Sequence, residues 1–464
     1  MSHPFPPLPG KNDTQSIRPF LRTLDAGGQL LVARESVDPV HELAARLSVA
    51  DGEAAVIFAD VAGSSLPVVG NLLSSRERIG QAIGVEATGL TDALLDAIAR
   101  PVAPVQADTA PVQAVVERAA PLAGLPVPTF FAREGRPYIT AGVIVARDPR
   151  TGSGNASFAR IGILDEHRGM IGIAPNHHLA QFARAAAALG QTLDIAVVLG
   201  AHPAIQLAAC LYLGLGEDEM ECAGRFLGEP VRTVRAKTVD LDVPAEAEIV
   251  LEGRIDPTDM IDEGLISEYH GMYENYGAGL GVDFTCMTRR EDALFQAILP
   301  GFHKEHIYLG AVPIAASLRA AIGRVIPNVG DVAVTEAGGG RTDIVIQIDQ
   351  PKPGQARRAM FAAWGSVSIV KRITIVDADI DPWDVQQVEW ARLSRMRNER
   401  DIVIVPGVGA DRSEPMEADG MVAKMGFDAT MKVGDRGPGM ERALPPAVDM
   451  ERARAWMRAL RHTV

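Results

Sequence analysis

The sequence predicts a mixed protein, with α/β regions at both ends of the chain and a β-rich region between them. Three observations support this prediction. Helix and strand patterns alternate over the first hundred residues, strand patterns dominate over about 138–290, and strands alternate with helices again after residue 340. Because 464 residues are too many for one hydrophobic core, we expect three domains, at 1–115, 116–305 and 306–464.

The first hundred residues contain two kinds of pattern. Apolar residues three or four positions apart, followed by glycine, predict helices, and short apolar runs predict strands. The predicted helices are 16–28, 37–52 and 75–84, and the predicted strands are 29–35 and 53–61. The segment 99–128 that follows is rich in proline and alanine, and we interpret it as a linker to the next domain.

The central region has short runs of period 2 between turn residues, which is typical of a barrel or a sandwich. Its predicted strands are 138–148, 157–166, 169–175, 192–200, 231–243 and 247–256, and its predicted helices are 178–190 and 218–228. In the last third, strands at 342–349, 372–381 and 401–407 alternate with helices at 354–370 and 382–396. That order predicts parallel strands. A final amphipathic helix, 450–461, is expected to dock on a partner subunit.

The composition excludes several classes of protein. The 45 basic against 59 acidic residues give a formal net charge of −14, which argues against nucleic acid as a partner. Three cysteines (Cys210, Cys222 and Cys286) are too few for a disulfide framework and form no CxxC pair. The first ten residues contain no basic segment followed by an apolar one, so we expect a cytoplasmic protein.

One uncharged stretch, 195–216, has about the length of a membrane span. It contains no Asp, Glu, Lys or Arg, but Pro203 and three glycines interrupt it. We interpret it as a buried strand, a turn and a buried helix, and we expect no membrane partner.

Common catalytic motifs are absent. The sequence has no GxxxxGK[ST], HExxH or GxSxG, which removes support for P-loop, zincin and α/β-hydrolase interpretations. Seven of the ten histidines fall between His167 and His306, and three clusters of polar residues are the remaining candidates for a site.

The first two clusters contain groups that could hold an ion. A turn-rich segment, 146–160, includes Asn155, whose carbonyl oxygen suits a hard cation, and backbone amides that suit phosphate. His177 and His178 open the next helix, where anions are attracted and an imidazole can bind metal. Both clusters also have interpretations without function. Arg160, the last residue of the first segment, can be a solvated strand residue, and the two histidines can form an exposed capping turn.

The third cluster contains Glu263 and Glu268, five positions apart and beside His270. Two carboxylates this close in an interior would push their pKa values apart, leaving one protonated near neutrality and able to act as an acid. The alternative is a solvated acidic loop. Glu219, in the predicted helix 218–228, is a further candidate carboxylate.

Five separated segments resemble, in order and spacing, the UbiD-type decarboxylases, which use prenylated flavin mononucleotide (prFMN). The segments are LPVVGNLLSSRERIGQAIG (66–84), ITAGVIVARDPRTGSGN (139–155), DLDVPAEAEIVLEG (240–253), EGLISEYHG (263–271) and GFDATMK (426–432). The motifs resemble most the branch of cinnamic, ferulic and heteroaromatic acid decarboxylases. The resemblance implies an N-terminal α/β domain, a central split β-barrel domain that binds prFMN, and a C-terminal α/β oligomerisation domain with a terminal helix.

The resemblance also implies a set of ligands. Asn155, His178 and Glu219 would hold Mn²⁺ or a similar divalent cation beside the cofactor phosphate, and K⁺ is a candidate second ion. The residues expected to contact the cofactor are Asn155, Ala156, Ser157, Phe158, Arg160, His177, His178, Glu219 and Lys371.

The catalytic residues implied by the resemblance are Glu263, Arg160 and Glu268. Arg160 is permanently charged and can hold a carboxylate in a bidentate fork. Glu268 is expected to protonate the carbon that CO₂ has left, a role that a raised pKa would favour. Glu263, paired with Arg160, is expected to stay ionised.

The predicted function is therefore reversible, non-oxidative decarboxylation of an aromatic, heteroaromatic or α,β-unsaturated acid, with CO₂ as the second product. We expect a flavin prenyltransferase to supply the cofactor. His177 is expected to face the substrate, where an imidazole favours a heteroaromatic acid, although simple packing is the alternative. Arg412, in the loop 405–415, is a candidate anchor for a second carboxylate.

Two other functions stay open from the residues alone. One is a module that binds flavin or phosphate without chemistry, and the other is a metal-dependent hydrolase built on Asn155, His178 and Glu219. In each case we expect a homodimer or a higher homo-oligomer.

Overall fold

A computed structural model describes residues 14–432, 434, 443 and 445–461, and it confirms the predicted mixed fold. The N-terminal region contains α1 (Arg18–Ala26), β1 (Leu30–Ala33), α2 (Glu42–Val49), β2 (Ala55–Phe58), β3 (Val68–Gly70), α3 (Arg76–Ile83) and α4 (Leu90–Ala99). Short 3₁₀ helices lie at Ala87–Gly89, Pro111–Gln113 and Glu336–Gly338. Ser75 caps α3 by accepting a hydrogen bond from the Arg78 amide, and Gly84 ends that helix at φ 74°.

The central region contains most of the strands. They are β4 (Val105–Gln106), β5 (Val115–Glu117), β6 (Tyr138–Ile139), β7 (Val143–Arg147), β8 (Gly154–Phe158), β9 (Arg160–Ile163), β10 (Arg168–Gly172), β11 (Leu193–Leu199), β12 (Arg232–Arg235), β13 (Asp242–Pro244), β14 (Ile249–Asp262), β15 (Ile266–Ser267), β16 (Tyr273–Glu274), β17 (Ala278–Arg289) and β18 (Phe295–Gln296). Three helices accompany them: α5 (His178–Ala188), α6 (Pro203–Ala208) and α7 (Glu219–Leu227).

Nine of these strands form one sheet. Eight follow the order β6-β9-β10-β17-β14-β11-β7-β8, and β5 pairs with β17 off that path. The resemblance implied a split barrel. Within the described residues the two end strands, β6 and β8, do not pair with each other, so the sheet does not close. Its interior is filled by alternate side chains of the long strands, among them Ile195, Val197 and Leu251.

The C-terminal region begins with the long helix α8 (Lys304–Gly323). It continues with β19 (Val329–Val334), β20 (Asp343–Ile348), α9 (Gln355–Ser366), β21 (Arg372–Asp377), α10 (Val385–Arg395), α11 (Asn398–Asp401), β22 (Ile402–Gly409), β23 (Met421–Asp428) and α12 (Ala447–Arg461). The five strands form the order β19-β20-β21-β23-β22, in which β20, β21 and β23 are parallel. The prediction of parallel strands is confirmed for β20 and β21 but is wrong for the predicted strand 401–407, because β22 pairs antiparallel with β23, a strand that the sequence patterns did not indicate. The side chains of α12 that the structure describes are almost all exposed.

The interpretation of 99–128 as a linker is wrong in part. β4 pairs with β12, and β5 pairs with β17 of the central sheet. The error has a physical reason, because strands of two and three residues carry no periodic signal of their own and form only where longer strands offer unpaired edges. The last strand of the central region, β18, pairs with β3 and so belongs to the N-terminal sheet.

The uncharged stretch 195–216 folds as predicted, into β11, a turn and α6. One helix in the described part of the chain, α8, is long and apolar enough to cross a membrane by length and composition alone. This is weak evidence for a span, because most of α8 is buried. Its residues Ile314, Leu318 and Ile322 pack into the hydrophobic core of the C-terminal region.

Candidate active site

A cavity of about 710 Å³ brings three parts of the chain together. β8, β9 and the start of α5 form one wall, the loop 266–276 and α8 form a second, and the loops 366–369 and 411–413 form a third. Segments that lie more than 250 residues apart in the sequence therefore share one space. Most of the predicted site residues lie in it.

Arg160 and Glu263 form a bidentate ion pair beside this cavity. Arg160 begins β9, and Glu263 follows β14 immediately. Nε donates to Oε1 at 2.6 Å, and Nη2 donates to Oε2 at 2.7 Å. A side chain at Gly172, the partner of Arg160 in β10, would overlap Oε1 of Glu263, so the pair depends on a glycine at that position. This planar fork fixes the guanidinium and leaves its third nitrogen, Nη1, without a hydrogen bond among the described residues.

Glu268 lies on the short hairpin of β15 and β16 and lines the same cavity. Its Oε2 accepts a hydrogen bond from the Tyr276 hydroxyl at 2.7 Å, and its Oε1 accepts one from the Tyr269 amide at 3.2 Å. Burial by itself raises the pKa of Glu268. The charge that His306 carries when it is protonated is the largest of the effects that lower this pKa. The charge of Arg160 and the two hydrogen bonds add to it, and together these effects outweigh burial, so the pKa lies below its ordinary value.

This corrects the expectation that Glu268 has a raised pKa. The sequence places two carboxylates close together, but in the structure Arg160 neutralises Glu263 and Tyr276 donates to Glu268. Mutual repulsion between the carboxylates is therefore not the dominant effect. Glu268 is held ionised, and it has to gain a proton before it can act as an acid.

Asn155 lies at the start of β8 and meets Glu219, the first residue of α7. The Asn155 amide donates to Oε1 of Glu219 at 3.0 Å, and the Ala156 amide donates to Oε2 at 2.8 Å. Burial raises the pKa of Glu219 to about 7. His178 lines the same cavity at the start of α5, but it makes no hydrogen bond to Asn155 or Glu219 in the described structure. No group of three His, Cys, Asp or Glu residues within the described ranges is arranged to hold a metal.

The other predicted cofactor residues divide into two groups. Ser157, Phe158 and His177 line the cavity, whereas Ala156 is fully buried behind it. Lys371 does not line the cavity, and its ammonium group pairs with Glu414 at 2.7 Å. Its role therefore stays a prediction.

Arg412 lines the cavity and places its guanidinium 4.1 Å from the centroid of the Tyr276 ring. Arg160 lies on the same ring at 5.5 Å, so Tyr276 lies close to both arginines while its hydroxyl donates to Glu268. The sequence analysis missed Tyr276, which follows a turn-rich segment with no periodic pattern. It also missed His306 and Arg341, although the concentration of histidines before His306 was a signal for the first.

His306 lies beside Glu268, and it is held in place through Nδ1, which is 3.0 Å from the carbonyl oxygen of Gly301. Burial, reinforced by the charge of Arg341, lowers the pKa of His306 to about 4. The imidazole is therefore neutral near pH 7. This end of the cavity thus holds an ionised carboxylate hydrogen-bonded to a phenol, with a neutral imidazole beside them.

Three family models match successive parts of the chain. They describe the N-terminal domain (residues 21–98), the Rift-related domain (103–303) and the C-terminal domain (307–429) of 3-octaprenyl-4-hydroxybenzoate carboxy-lyase. Among curated proteins, the anhydromevalonate phosphate decarboxylase of Methanothermobacter thermautotrophicus is 32% identical over 87% of this chain and 94% of its own length. The enzyme of the same name from Methanosarcina mazei is 32% identical over 92% of this chain and 99% of its own length.

Solved structures agree with these matches. The UbiD-class enzyme HmfF from Pelotomaculum thermopropionicum, solved in complex with FMN, has a TM-score of 0.90 and 37% identity, covering 94% of this chain and 98% of that one. An evolved dimeric form of HmfF was solved with prFMN. The 3,4-dihydroxybenzoic acid decarboxylase of Klebsiella pneumoniae has a TM-score of 0.88 and 27% identity, with the same two coverages.

Proposed function

This chain belongs to the UbiD family of carboxy-lyases, and we propose that it catalyses reversible, non-oxidative decarboxylation with prenylated FMN as its cofactor. The substrate is an aromatic, heteroaromatic or α,β-unsaturated carboxylic acid. The observation that carries this proposal is the Arg160–Glu263 fork, which lies in one cavity with Glu268 and with the Asn155–Glu219 pair.

The cavity residues fit a phosphate-bearing cofactor held through a divalent cation. Glu219 is a buried carboxylate, and no cationic side chain lies within ion-pair distance of it among the described residues. A buried carboxylate of this kind favours a cation, and an oxygen-rich set with one imidazole suits Mn²⁺ or a similar ion. Asn155, His178 and Glu219 would hold that ion, and Ser157 and Phe158 would line the cofactor.

The chemistry that prFMN supplies when bound is an electron sink for the pair left behind when CO₂ departs. Every other task falls to side chains of this chain. Arg160 orients the substrate carboxylate through the free Nη1 edge of its guanidinium, and Glu263 keeps that guanidinium planar and fixed. The positions of the reacting groups are thereby set before the reaction begins.

Glu268 transfers the proton. Near pH 7 the free site holds it as a carboxylate, because its pKa lies below the ordinary value, and Arg160 and Tyr276 contribute to stabilising the charge. When a substrate carboxylate engages Arg160, part of that stabilisation is lost, and the pKa of Glu268 rises toward the range in which it can carry a proton. In the reverse direction the same carboxylate accepts the proton, so one residue serves both directions.

The names of the relatives support a carboxylic acid without fixing which one. One relative is named for a phosphorylated acid, and another is named for a dihydroxybenzoic acid. In this chain His177 and Arg412 line the cavity and are the residues that we propose contact the substrate. An imidazole at this position favours a ring with a heteroatom.

The test is a comparison of two preparations of the same chain, expressed with and without a flavin prenyltransferase. We expect only the first to show flavin absorption, to contain Mn²⁺, and to release CO₂ from a panel of aromatic, heteroaromatic and α,β-unsaturated acids. Deuterium exchange at the carbon that carried the carboxylate, driven by bicarbonate, detects the protonation step even where net release is unfavourable. Ester or amide hydrolysis that needs Mn²⁺ but no flavin would contradict the proposal and favour the metal-dependent hydrolase.

A further inference from the structure

We propose that Glu134 supplies the proton that Glu268 gives up in each turnover, and that the hydroxyl group of Ser267 passes it on. This inference rests on the proposed function and adds to it a residue that acts through Glu268. It is carried by three observations: Glu134 lines the same cavity, it accepts a hydrogen bond from the residue next to Glu268, and the buried hydroxyl of Ser267 has no partner among the described residues.

The proposed reaction consumes one proton in every turnover. The bond between carbon and the carboxylate breaks, CO₂ leaves, and the electron pair left behind ends in a new bond to the proton that Glu268 carried. Glu268 is then a carboxylate again, which its lowered pKa favours in the free site. Its pKa rises only when a substrate engages Arg160, so Glu268 takes up the next proton while the substrate fills the cavity and excludes bulk water.

Few groups in the cavity lining can give a proton near pH 7. Burial raises the pKa of Tyr269 and of Cys210 to about 12, so both hold their protons too tightly. Burial lowers the pKa of His306 to about 4, so its neutral imidazole has no extra proton to give. Burial raises the pKa of two lining carboxyl groups, those of Glu219 and Glu134, and the first is the proposed ligand of a cation.

Glu134 is held by backbone amides and has no arginine or lysine partner in the described structure. Its Oε2 accepts hydrogen bonds from the amides of Phe130 at 3.2 Å and Phe131 at 3.1 Å, and its Oε1 accepts one from the Ser267 amide at 3.4 Å. Burial raises the pKa of Glu134, and these three bonds and the charge of a protonated His41 oppose that rise. Such a carboxyl group is suited both to hold a proton and to release it.

The titratable groups around Glu134 come from four elements. His41 precedes α2, and Tyr138 lies in β6, where the charge of Glu134 contributes to raising the pKa of that phenol. Tyr273, in β16, accepts a hydrogen bond from the amide that precedes Glu134, at 3.3 Å. His303, just before α8, stacks on a phenylalanine of the same turn, with 6.2 Å between the ring centroids. None of these groups is a carboxylate, so burial remains the main influence on the protonation of Glu134.

Ser267 is placed between the two carboxyl groups in the chain of contacts. It precedes Glu268 on the hairpin of β15 and β16, and its amide donates to Glu134. Its hydroxyl oxygen is buried and makes no hydrogen bond to a described residue, which is uncommon for a buried polar atom. A serine hydroxyl can accept one hydrogen bond while it donates another, and rotation about its side-chain bond changes which groups it faces.

The transfer breaks and forms O–H bonds in pairs. The O–H bond of protonated Glu134 breaks as the Ser267 oxygen gains that proton, and the O–H bond of Ser267 breaks as Glu268 gains the other. Glu134 is left as a carboxylate and regains a proton from water. The net result is one proton moved from solvent to Glu268, which is the proton that the product keeps.

The test compares the cofactor-loaded wild-type protein with Glu134→Gln and Ser267→Ala. The substrate is the acid that the wild-type protein decarboxylates fastest, with furan-2-carboxylate, pyrrole-2-carboxylate and cinnamate tried first. We expect kcat to fall by about 10- to 100-fold in each variant and KM to change by less than about twofold, because proton supply follows binding. The solvent deuterium isotope effect on kcat should rise, and acetate buffer, which contains a small acid, should restore the kcat of Glu134→Gln in proportion to its concentration.

The matched control is Glu305→Gln. Glu305 is buried, its Oε1 accepts hydrogen bonds from the amides of Leu72 and Leu73 at 3.0 and 2.9 Å, and burial raises its pKa to about 7. It resembles Glu134 in these respects but does not line the cavity. The folded Glu305→Gln protein should keep the wild-type kcat and should not respond to acetate.

Infrared spectroscopy of the loaded protein gives a measurement that needs no turnover. A protonated carboxyl group has its own carbonyl stretch, and we expect a part of that band that titrates above the ordinary pKa of glutamate to be lost in Glu134→Gln and kept in Ser267→Ala. The absence of such a component would reject the inference, since Glu134 would then hold no proton to give.

Three kinetic outcomes would also overturn the inference. They are a wild-type kcat in both variants, a response to acetate in Glu305→Gln equal to that in Glu134→Gln, and a loss of kcat with neither a changed isotope effect nor a response to acetate, as a purely structural role predicts. Failure of the proposed function looks different, since the loaded wild-type protein would then release CO₂ from no acid in the panel.

Discussion

Two arginines in this protein each donate two parallel hydrogen bonds to a glutamate, but they differ in the hydrogen bonds of the remaining nitrogen, Nη1. Arg18 in α1 donates from Nε and Nη2 to Glu248 at 2.8 and 2.9 Å, and its Nη1 donates to Asp292 at 2.7 Å. Arg160 donates from Nε and Nη2 to Glu263 in the same way, but its Nη1 makes no hydrogen bond to a described residue. The first cluster is complete within the fold, and we propose that a ligand completes the second.

Whether Nη1 has a partner within the fold therefore distinguishes a stabilising ion pair from a proposed functional one better than burial does. Glu248 and Glu263 are both buried, and both accept a bidentate arginine. What distinguishes the second pair is the cavity beside it and a carboxylate, Glu268, that is bound by a tyrosine rather than by the arginine. Substitutions in the two clusters should therefore affect different measurements.

The largest expected effect is on catalysis. Glu268→Gln keeps the shape of the side chain and its bond from Tyr276 but cannot transfer a proton, so the rate of CO₂ release should fall by about 10²- to 10⁴-fold. The free energy of unfolding should change little. The matched control is Glu248→Gln in the cluster of Arg18, Glu248 and Asp292. It should lower the free energy of unfolding and leave the turnover of the folded enzyme unchanged. A full rate in Glu268→Gln with cofactor loaded would remove Glu268 from the mechanism.

The next effect is on stability. Arg18→Met leaves the buried Glu248 with Arg290, at 3.8 Å, as its remaining cation and removes both short hydrogen bonds of the fork, which should cost about 3 kcal/mol in the free energy of unfolding. Arg160→Met should cost less, because its side chain is 23% exposed and water in the cavity can reach the vacated position, but it should abolish turnover. Urea unfolding of both variants tests the order. A larger loss of stability in Arg160→Met than in Arg18→Met would contradict the distinction between the two clusters.

The core and the cavity each contain a buried histidine that should make the free energy of unfolding depend on pH. Burial lowers the pKa of His202 in the core, as of His306 in the cavity, to about 4, below the ordinary 6.5. Between pH 6.5 and 4 the unfolded chain binds a proton that each folded site refuses. Stability is therefore complete above pH 6.5 and falls with decreasing pH, by about 3 kcal/mol for His202.

His202 provides the cleaner measurement of this effect, because it lies outside the cavity. Its Nδ1 caps α6 by accepting from the Ala204 amide, a bond that asparagine can replace. In His202→Asn the loss of stability between pH 6.5 and 4, measured by urea unfolding, should be smaller than in the wild-type protein by about that amount. An unchanged pH dependence would show that His202 titrates normally in the folded state.

The longer elements and the functional pairing were predictable from the sequence, for different reasons. The strand β11 and the helix α7 carry strong periodic patterns, so local preference and tertiary packing agree there. The pairing of Arg160 with Glu263, 103 positions apart, came only from the spacing of motifs that resemble a family. No local pattern places those two residues together.

The remaining features depend on tertiary contacts. The strands β4 and β5 exist because β12 and β17 offer them edges. The Tyr276 hydroxyl contributes to the lowered pKa of Glu268, and the guanidinium of Arg341 lies where a side chain at Gly310, in a different element, would overlap it. A single sequence carries no signal for such contacts, since each depends on how separate elements pack against one another.

The smallest expected effect concerns Tyr276. Its hydroxyl donates to Oε2 of Glu268 at 2.7 Å, and its ring lies between Arg412 and Arg160. Tyr276→Phe keeps the ring and removes the donor, so the carboxylate loses stabilisation and the pKa of Glu268 rises. Because Glu268 must be protonated to donate, the alkaline limb of the pH–rate profile for decarboxylation should move to higher pH, while the maximal rate changes by less than about tenfold.

Tyr138→Phe is the matched control, because the Tyr138 hydroxyl donates to the backbone carbonyl of Glu263, at 3.1 Å, and to no carboxylate in the described structure. It should reduce stability slightly and leave the pH–rate profile in place. A structural role for Tyr276 alone would give the same result as this control. A shift that is seen in Tyr276→Phe and absent in Tyr138→Phe would show that a phenol sets the pKa of the carboxylate beside Arg160. In the Arg18 cluster, by contrast, a second carboxylate, Asp292, pairs with the arginine.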